Sequence, residues 1–438
     1  MIQSIAILIV FLGLVALIMT KKIPTPVALI VLAILICIIA GVPAVGKDAS
    51  GTDIGWLSTV VEAGASKMAA AMLALIFGSW MGQMMKVSGV TETIIKKSAE
   101  LGGDKPIIVT FIMAAVVALL FTSMHGLGSY IIIGSIVLPI LMSVGVPANT
   151  AGCVFLLSTG VGMTQNLTEL TTFSGIFSID VPTIRGYSLY LTIASVIALI
   201  AYIFIEFKRK GVRYAFSAPA DENAAKPEED TYRVKGFRMI MACLTPILVV
   251  CLAWFANLTA VCSFLAGIIW LVIFTSKSWM YAMNNLIKTL YEGIKDAAPA
   301  LALFIGLGVI VKAVTHAYVS ALLQPILLAV FPQTAIAFIL FFTLLAPLCL
   351  YRGPMNLFGM GTGIAALVIG AGVLNPMIVM GGFLSVARIQ APAEPSNSHN
   401  MWTANFCGSD VNSLLKSMLP YQWIVCLAGT IITAILYF

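Results

Sequence analysis

The chain has 438 residues, of which 60% are hydrophobic and only 10% are charged, and its mean hydropathy is +1.04. This composition excludes a water-soluble globule, because too few polar residues remain to cover an exterior. It predicts an all-α polytopic membrane protein, and the net charge of +6 makes the distribution of Lys and Arg the guide to its orientation.

Long apolar runs predict the membrane helices. A spanning helix needs about 20 mainly apolar residues. Runs of this kind cover residues 2–20, 24–42, 67–85, 186–206, 238–254, 256–276, 297–314 and 420–438. We expect the first run to remain as a membrane helix rather than a cleaved signal peptide, because Lys21 and Lys22 follow it. With two further interrupted spans, the prediction is about ten transmembrane helices.

Two stretches of the chain contain the same elements in the same order. One begins at Leu73 and the other at Leu301, about 228 residues later. After each start come a connector, an apolar stretch with a polar tip, and an apolar span broken by polar residues. The tips are TSMHGLGSY (122–130) and APLCLYRGPMNLFG (346–359), and the breaks are STGVGMTQNLTELTT (158–172) and SVARIQAPAEPSNSHN (385–400). This order predicts an inverted repeat with two re-entrant hairpins and two broken helices. The binding site should then lie near the bilayer midplane, because unwound backbone is tolerated there only where it lines a cavity.

The repeat predicts the domain boundaries. Residues 1–206 form the first repeat, with scaffold 1–89, arm helix 90–105, hairpin and broken helix of the transport domain 106–185, and last span 186–206. A linker covers 207–237. Residues 238–438 form the second repeat, with scaffold 238–314, arm helix 315–331, hairpin and broken helix 332–417, and last span 418–438. Two alternatives stay open: 106–123 and 130–146 could be complete spans, and the arms could be ordinary surface helices.

The positive charges predict the orientation. Residues 207–238 carry eight Lys and Arg residues, so the linker should be cytoplasmic and the protein should lie in the inner membrane. Of the 24 Lys and Arg residues, 18 then fall inside, four (Lys47, Lys67, Arg185 and Lys312) fall outside, and two (Arg352 and Arg388) lie within the membrane.

The first half resembles a known family. GSWMGQMMKVSGVTETIIKKSAELGG, the Gly-rich tip and IVLPILMSVGVP (136–147) are similar to the gluconate:proton symporter family and, more loosely, to the C4-dicarboxylate and citrate carriers of the ion transporter superfamily. The resemblance implies a homodimer and an ion-coupled symporter that moves a small organic anion by an elevator-type motion, with H⁺ or Na⁺ as the coupling ion. The serine-asparagine-threonine signature of the dicarboxylate branch is missing from both tips.

Two arginines within the membrane are the strongest candidates for binding an anion. Arg352 lies in the second tip and Arg388 in the second break. A guanidinium stays charged in a poorly hydrated cavity and matches a carboxylate with two parallel hydrogen bonds. Alternatively, one or both could form structural ion pairs with Glu169 or Glu394.

Polar residues of the tips and breaks complete the predicted site. Free N–H groups at half-helix N-termini suit a carboxylate, and Pro354 is expected in the first turn of such a helix. The predicted substrate-binding residues, besides the arginines, are Ser123, His125, Gly126, Gly128, Ser129, Thr164, Gln165, Asn166, Gly353, Asn356, Gln390, Ser396 and Asn397. The candidates for coupling-ion binding are Thr168, Glu169, Glu394, His399 and Asn400. The alternative for the glycines is close helix packing.

Other classes of function are disfavoured. The sequence has no HExxH motif, no P-loop and no nucleophile with an evident base, so an enzyme is not expected, and we expect no cofactor, metal or nucleic acid. The eight cysteines lie mostly in apolar spans and are expected to be buried thiols. The main alternative is a cation/proton antiporter of the same superfamily, which would use carboxylates rather than arginines at the breaks.

Overall fold

The computed structural model describes residues 2–47, 50–103, 105–212 and 234–438. Within these ranges the regular structure is helical, apart from an isolated antiparallel bridge between Lys47 and Asp53. The prediction of an all-α membrane protein is therefore confirmed. Arg213, Lys226 and Arg233 of the predicted cytoplasmic linker lie outside the described residues.

The first half of the chain begins with two apolar helices and then a π-helical turn, Leu57–Glu62, that leads into the third. The helices up to the linker are α1 (Ile2–Met19), α2 (Thr25–Ile39), α3 (Ala63–Lys67), α4 (Ala69–Val87), α5 (Val90–Gly102), α6 (Pro106–Phe121), α7 (Leu127–Ser143), α8 (Ala148–Met163), α9 (Leu167–Phe177) and α10 (Val181–Lys210).

The second half contains the longest described helix and a 3₁₀ segment, Ala346–Arg352, after the sixth helix of this half. Its helices are α11 (Phe237–Cys243), α12 (Thr245–Phe255), α13 (Ala260–Thr275), α14 (Trp279–Thr315), α15 (Ala317–Val330), α16 (Ala335–Leu345), α17 (Met360–Gly370), α18 (Pro376–Ala393), α19 (Ser398–Phe406) and α20 (Val411–Tyr437).

Six helical stretches of the described chain are long and apolar enough to cross a membrane, and α11 with α12, bent by 45°, would make a seventh. Several shorter apolar helices accompany them. The predicted span 297–314 is only the second part of α14, which has 37 residues. Charged residues such as Lys288 and Lys295 interrupt the apolar pattern in its first part, so the pattern did not reveal the full helix. The inverted relation of the halves and the domain boundaries stay predictions.

Local sequence signals account for the helix ends that border the site. The Asn166 side chain accepts hydrogen bonds from the backbone N–H groups of Thr168 (3.0 Å) and Glu169 (3.1 Å), so it caps α9 after the break in the span. At α10, Asp180 caps the Thr183 N–H (3.0 Å), and Gly211 ends the helix in the left-handed conformation. The chain therefore turns where polar side chains satisfy the exposed ends of the backbone.

Helix α14 connects the parts of the molecule, because it packs against α2, α3, α4 and α17. At the contact with α3, a Cβ on Gly64 would meet the backbone of Val309, and a Cβ on Gly308 would meet the backbone of Gly64. Small residues thus let these two backbones touch, as is common where membrane helices pack. Helix α18 packs against α20 and α8, and α9 against α4. Helix α9 also contacts both α14 and α18, so the two broken spans meet where α9 lies against α18.

Candidate functional site

A cavity of about 240 Å³ lies where the first tip, the two breaks, the second tip and α14 meet. Its wall includes eight of the twenty residues that the sequence selects, and these come from both halves of the chain. They are His125, Gly126, Glu169, Arg352, Arg388, Gln390, Asn397 and His399. The structure therefore brings both arginines to one cavity, while their role in binding stays a prediction.

Arg388 is the most distinctive group in the wall. It lies on α18, and its side chain is only 3% exposed. Its Nε donates a long hydrogen bond of 3.3 Å to the Leu384 carbonyl, whereas Nη1 is buried without a partner. Among the described residues, no carboxylate oxygen lies within 4 Å of it. A buried cation that no carboxylate contacts is costly, so this site is suited to an incoming anion.

Arg352 approaches the same cavity from the second tip, where its Nη1 donates to the Phe358 carbonyl at 3.0 Å. The expected helix start at Pro354 is wrong, since α17 begins at Met360. Tyr351 and Arg352 have φ values of 54° and 60°, which end the 3₁₀ segment and reverse the chain. The residues after Arg352 form turns instead of a first helical turn, so they offer no helix N-terminus.

The first break is held against the first hairpin by Asn166. Besides capping α9, this fully buried side chain donates to the carbonyls of Phe121 (2.7 Å) and Met124 (3.0 Å). The cap fixes Glu169 in the first turn of α9, where the positive end of the helix favours a carboxylate. Glu169 faces the cavity that contains Arg388, but no ion pair within 4 Å joins them.

The second break is organised around Glu394, which is fully buried and does not line the cavity. Its carboxylate accepts hydrogen bonds from the backbone N–H of Ser396 (3.1 Å), from the Ser396 hydroxyl and from Asn356 Nδ2 (3.4 Å). Its carbonyl accepts from Asn400 Nδ2 at 2.9 Å. These contacts indicate that Glu394 holds the unwound backbone together. It is therefore a weaker candidate for ion coupling than Glu169.

Two histidines line the cavity. His399 lies flat on Tyr130, with ring centroids 4.1 Å apart and an interplanar angle of 17°, and its Nε2 is 3.2 Å from the Ala391 carbonyl. His125 lies in the first tip, and its Nδ1 is buried without a partner. The stacked pair joins the first hairpin to the second break, and His125 leaves a polar atom available to a ligand.

The remaining predicted residues lie outside the cavity wall. Thr164 and Gln165 bond to the Thr192 hydroxyl on α10, at 2.7 and 2.9 Å. Asn356 Oδ1 accepts from the Phe358 N–H at 2.9 Å and so shapes the second tip. The full set outside the wall is Ser123, Gly128, Ser129, Thr164, Gln165, Asn166, Thr168, Gly353, Asn356, Glu394, Ser396 and Asn400.

Asp296 is a lining residue that the sequence analysis missed. It lies on α14, and its carboxylate accepts a hydrogen bond from Gln83 Nε2 on α4. A Cβ on Gly128 would collide with this carboxylate, so a larger residue there would force the Asp296 side chain to shift. The negative group lies by the first turn of α7, where the helix dipole favours it. The ionisable residue within a long helix was the available signal.

Aromatic side chains form much of the remaining wall: Tyr130, Phe173, Phe304 and Phe358. The sequence does not distinguish them, because an aromatic residue in an apolar span is usually part of the packed core. A small cavity with apolar walls and a few charged groups is typical of a site for a small molecule. Within the described residues, no three His, Cys, Asp or Glu side chains come together as a metal site would require.

The helices, their broken spans and the cavity that they surround define the fold of a multi-pass helical membrane protein. No family model matches the chain, and no curated protein matches its sequence.

Two solved structures share the fold. The YdaH transporter of Alcanivorax borkumensis is similar with a TM-score of 0.66 and 14% identity, over 94% of this chain and 98% of that one. MtrF of Neisseria gonorrhoeae, described with a class of antimetabolite efflux pumps, is similar with a TM-score of 0.62 and 14% identity, over 95% of each chain. At this identity the likeness shows the fold, and the resemblance to the gluconate:proton symporter family stays a prediction.

Proposed function

We propose that the protein is a secondary active transporter that moves a small organic anion through the bacterial inner membrane by alternating access. The observation that carries the proposal is the buried Arg388, whose Nη1 lacks a partner beside the cavity. A carboxylate there would complete the hydrogen bonds of the guanidinium and neutralise its charge. The fold shared with two transporters supports the same conclusion.

The cavity favours a particular size and chemistry of substrate. A volume of about 240 Å³ suits a small molecule such as a sugar acid or a di- or tricarboxylate. Arg388 would bind one carboxylate, and Arg352 is available to a second acceptor. Phe173 and Phe358 offer apolar surface to the carbon skeleton. These features favour a compact mono- or dicarboxylate with some apolar carbon over a fully hydroxylated acid.

Ion coupling requires a group that changes charge or binds a cation during the cycle. Glu169, His125 and His399 line the cavity, and so does Asp296. A carboxylate or an imidazole can carry a coupled H⁺, while carboxylate and amide oxygens can bind Na⁺. An elevator-type motion within a homodimer, as the family resemblance implies, would move these groups together with the bound anion.

Export is a second candidate for the direction of transport. MtrF, which shares the fold, is described with efflux pumps for antimetabolites. A carboxylate-bearing antimetabolite fits the same arginine as a nutrient anion would. Import and export therefore make the same prediction about the site and differ only in the gradient that drives transport.

A cation/proton antiporter is the remaining alternative. The carboxylates of Glu169 and Asp296 in one cavity are the observation that favours it. Two arginines in the same wall disfavour it, because they would repel a cation at short range.

The deciding experiment uses purified protein in proteoliposomes with imposed H⁺ or Na⁺ gradients of either direction. A panel of labelled sugar acids, dicarboxylates and aromatic carboxylates is tested, together with ²²Na⁺ alone. The proposal predicts gradient-dependent movement of at least one anion, which Arg388→Lys abolishes. Cation exchange without movement of any anion would contradict it and favour the antiporter.

A further inference from the structure

A second and larger cavity, of about 420 Å³, lies on the other side of α9. Glu169 and Phe173 face the candidate site, whereas Leu170, Thr171 and Ser174 face this second cavity. Residues separated by three or four positions share one face of a helix, so α9 is a wall between two separate spaces. The remaining lining comes from the α3–α4 junction, the start of α10 and residues 253–261, and it is mostly apolar.

The two charged side chains in this lining are both positive: Lys67 and Arg185. Lys67 Nζ donates to the Ser178 hydroxyl at 3.2 Å, and Arg185 Nη1 donates to the Ala253 carbonyl at 3.1 Å. Both side chains are half-buried, and within the described ranges neither has a carboxylate oxygen within 4 Å. Neutral groups therefore fix the two cations in position and leave their charge uncompensated.

The cations lie at one end of the helix bundle. Helices α9 and α12 end beside the cavity, and α10 and α13 begin there. The Arg185 guanidinium carbon lies 5.8 Å from the ring centroid of Trp254, and Trp and Arg together are typical of the depth at which lipid headgroups lie. Phe255 is 81% exposed and Leu258 is 40% exposed, so the neighbouring surface is suited to lipid.

An apolar groove leads from the cations toward the middle of the bundle. Its lining on α9 runs from Gly175 back to Leu167. The rise from Leu167 to Gly175 is about 12 Å, which is a substantial part of one membrane leaflet. The groove thus has a positive mouth and an apolar interior, the two parts that a lipid headgroup and an acyl chain would need.

We propose that this cavity is a binding site for an anionic phospholipid. The phosphate lies between Lys67 and Arg185, and one acyl chain follows α9 toward Leu167. The lipid contacts the face of α9 opposite Glu169. It therefore packs against the helix that forms one wall of the candidate site and stabilises its position. This site does not depend on the identity of the transported anion.

The experiment compares phosphatidylglycerol with phosphatidylcholine of the same acyl chains, added to the detergent-purified protein. Bound lipid is counted by native mass spectrometry, and thermal stability is measured in parallel. A basic residue near an anionic headgroup contributes roughly a 5-fold gain in affinity, so the double variant K67Q/R185Q should bind phosphatidylglycerol about 30-fold more weakly. The control R238Q/K295Q removes the same charge at exposed positions and should bind like the wild type.

Each outcome decides the proposal. A preference for phosphatidylglycerol that only K67Q/R185Q loses would support it. Equal binding of both lipids, an equal loss in the control, or equal stabilisation by free glycerol 1-phosphate would overturn it. If the double variant does not fold, K67Q alone should show the roughly 5-fold loss, and R185K, which keeps the charge, should retain the preference.

Discussion

Replacing Arg388 separates a ligand-binding role from a structural one. The three informative variants are R388A, R388K, which keeps the charge but loses the planar fork, and R388M, which keeps much of the stem without charge. The Arg388 side chain makes one long hydrogen bond to the Leu384 carbonyl and leaves Nη1 unpaired. Its removal therefore forfeits about 0.5–1.5 kcal/mol of hydrogen bonding and relieves the burial of an unpaired charge.

We expect R388M to change the free energy of unfolding by less than about 1.5 kcal/mol. Binding of the anion should suffer far more, because a charge-assisted hydrogen bond contributes about 1.5–3 kcal/mol, which corresponds to roughly 10- to 150-fold in affinity. R388K should bind nearly as weakly as R388A. Thermal unfolding with and without ligand, together with uptake into proteoliposomes, measures both quantities on the same preparations.

The structural alternative gives the opposite result. If Arg388 formed a buried ion pair with Glu169 in the working protein, losing either partner would cost about 3–5 kcal/mol of stability. The variant E169Q would then unfold as easily as R388M, and the double variant would be less destabilised than the sum. Unstable Arg388 variants whose folded fraction binds with wild-type affinity would refute the ligand-binding argument. R238A, an exposed arginine that also bonds only to carbonyls, is the matched control.

Three further predictions follow from the contacts around the site. G128A should reduce transport, since its methyl group displaces the Asp296 carboxylate. In a D296A background the same change should have little further effect on transport. Additive losses of transport in the double variant would contradict the contact. N166A should lower the free energy of unfolding by about 2 kcal/mol or more, because a helix cap is lost and two buried carbonyls lose their donor. Thermal denaturation measures this loss, and an unchanged melting temperature would refute it. Hydrogen bonds from the Thr183 backbone and hydroxyl hold the pKa of Asp180 below its ordinary value, so the cap stabilises the protein above about pH 4 and is lost as the pH falls through the lowered pKa. D180N should flatten the stability profile below about pH 4, and an unchanged acid slope would exclude the cap as its source.

Much of the fold was predictable because long apolar runs and polar interruptions are local signals. The predicted break at 158–172 contains the cap at Asn166, since an asparagine before Leu-Thr-Glu is a recognisable helix start. The helix start at Pro354 was predicted wrongly, because the reversal depends on positive φ angles at Tyr351 and Arg352 that the sequence pattern does not specify.

The candidate site was only partly predictable for a similar reason. Arg352 and Arg388 were identifiable because a charged side chain is costly in an apolar span and is usually retained there for a function. Asp296 was missed because it follows Lys288, Glu292 and Lys295, a stretch that is typical of a solvated surface. Only the packing of α14 against α4 and the first tip brings its carboxylate to the cavity.

The two breaks differ in the chemistry that holds them. Neutral Asn166 organises the first, whereas the enclosed carboxylate of Glu394 organises the second. Both arginines of the cavity come from the second tip and α18, whereas the carboxylates of Glu169 and Asp296 come from α9 and α14. The cavity therefore has its cationic groups on one pair of elements and its anionic groups on another. Under the proposed function, a substrate that is charged at one end would bind in a single orientation. Moving the charge to the other end of the molecule would weaken binding as much as replacing the substrate with a different compound.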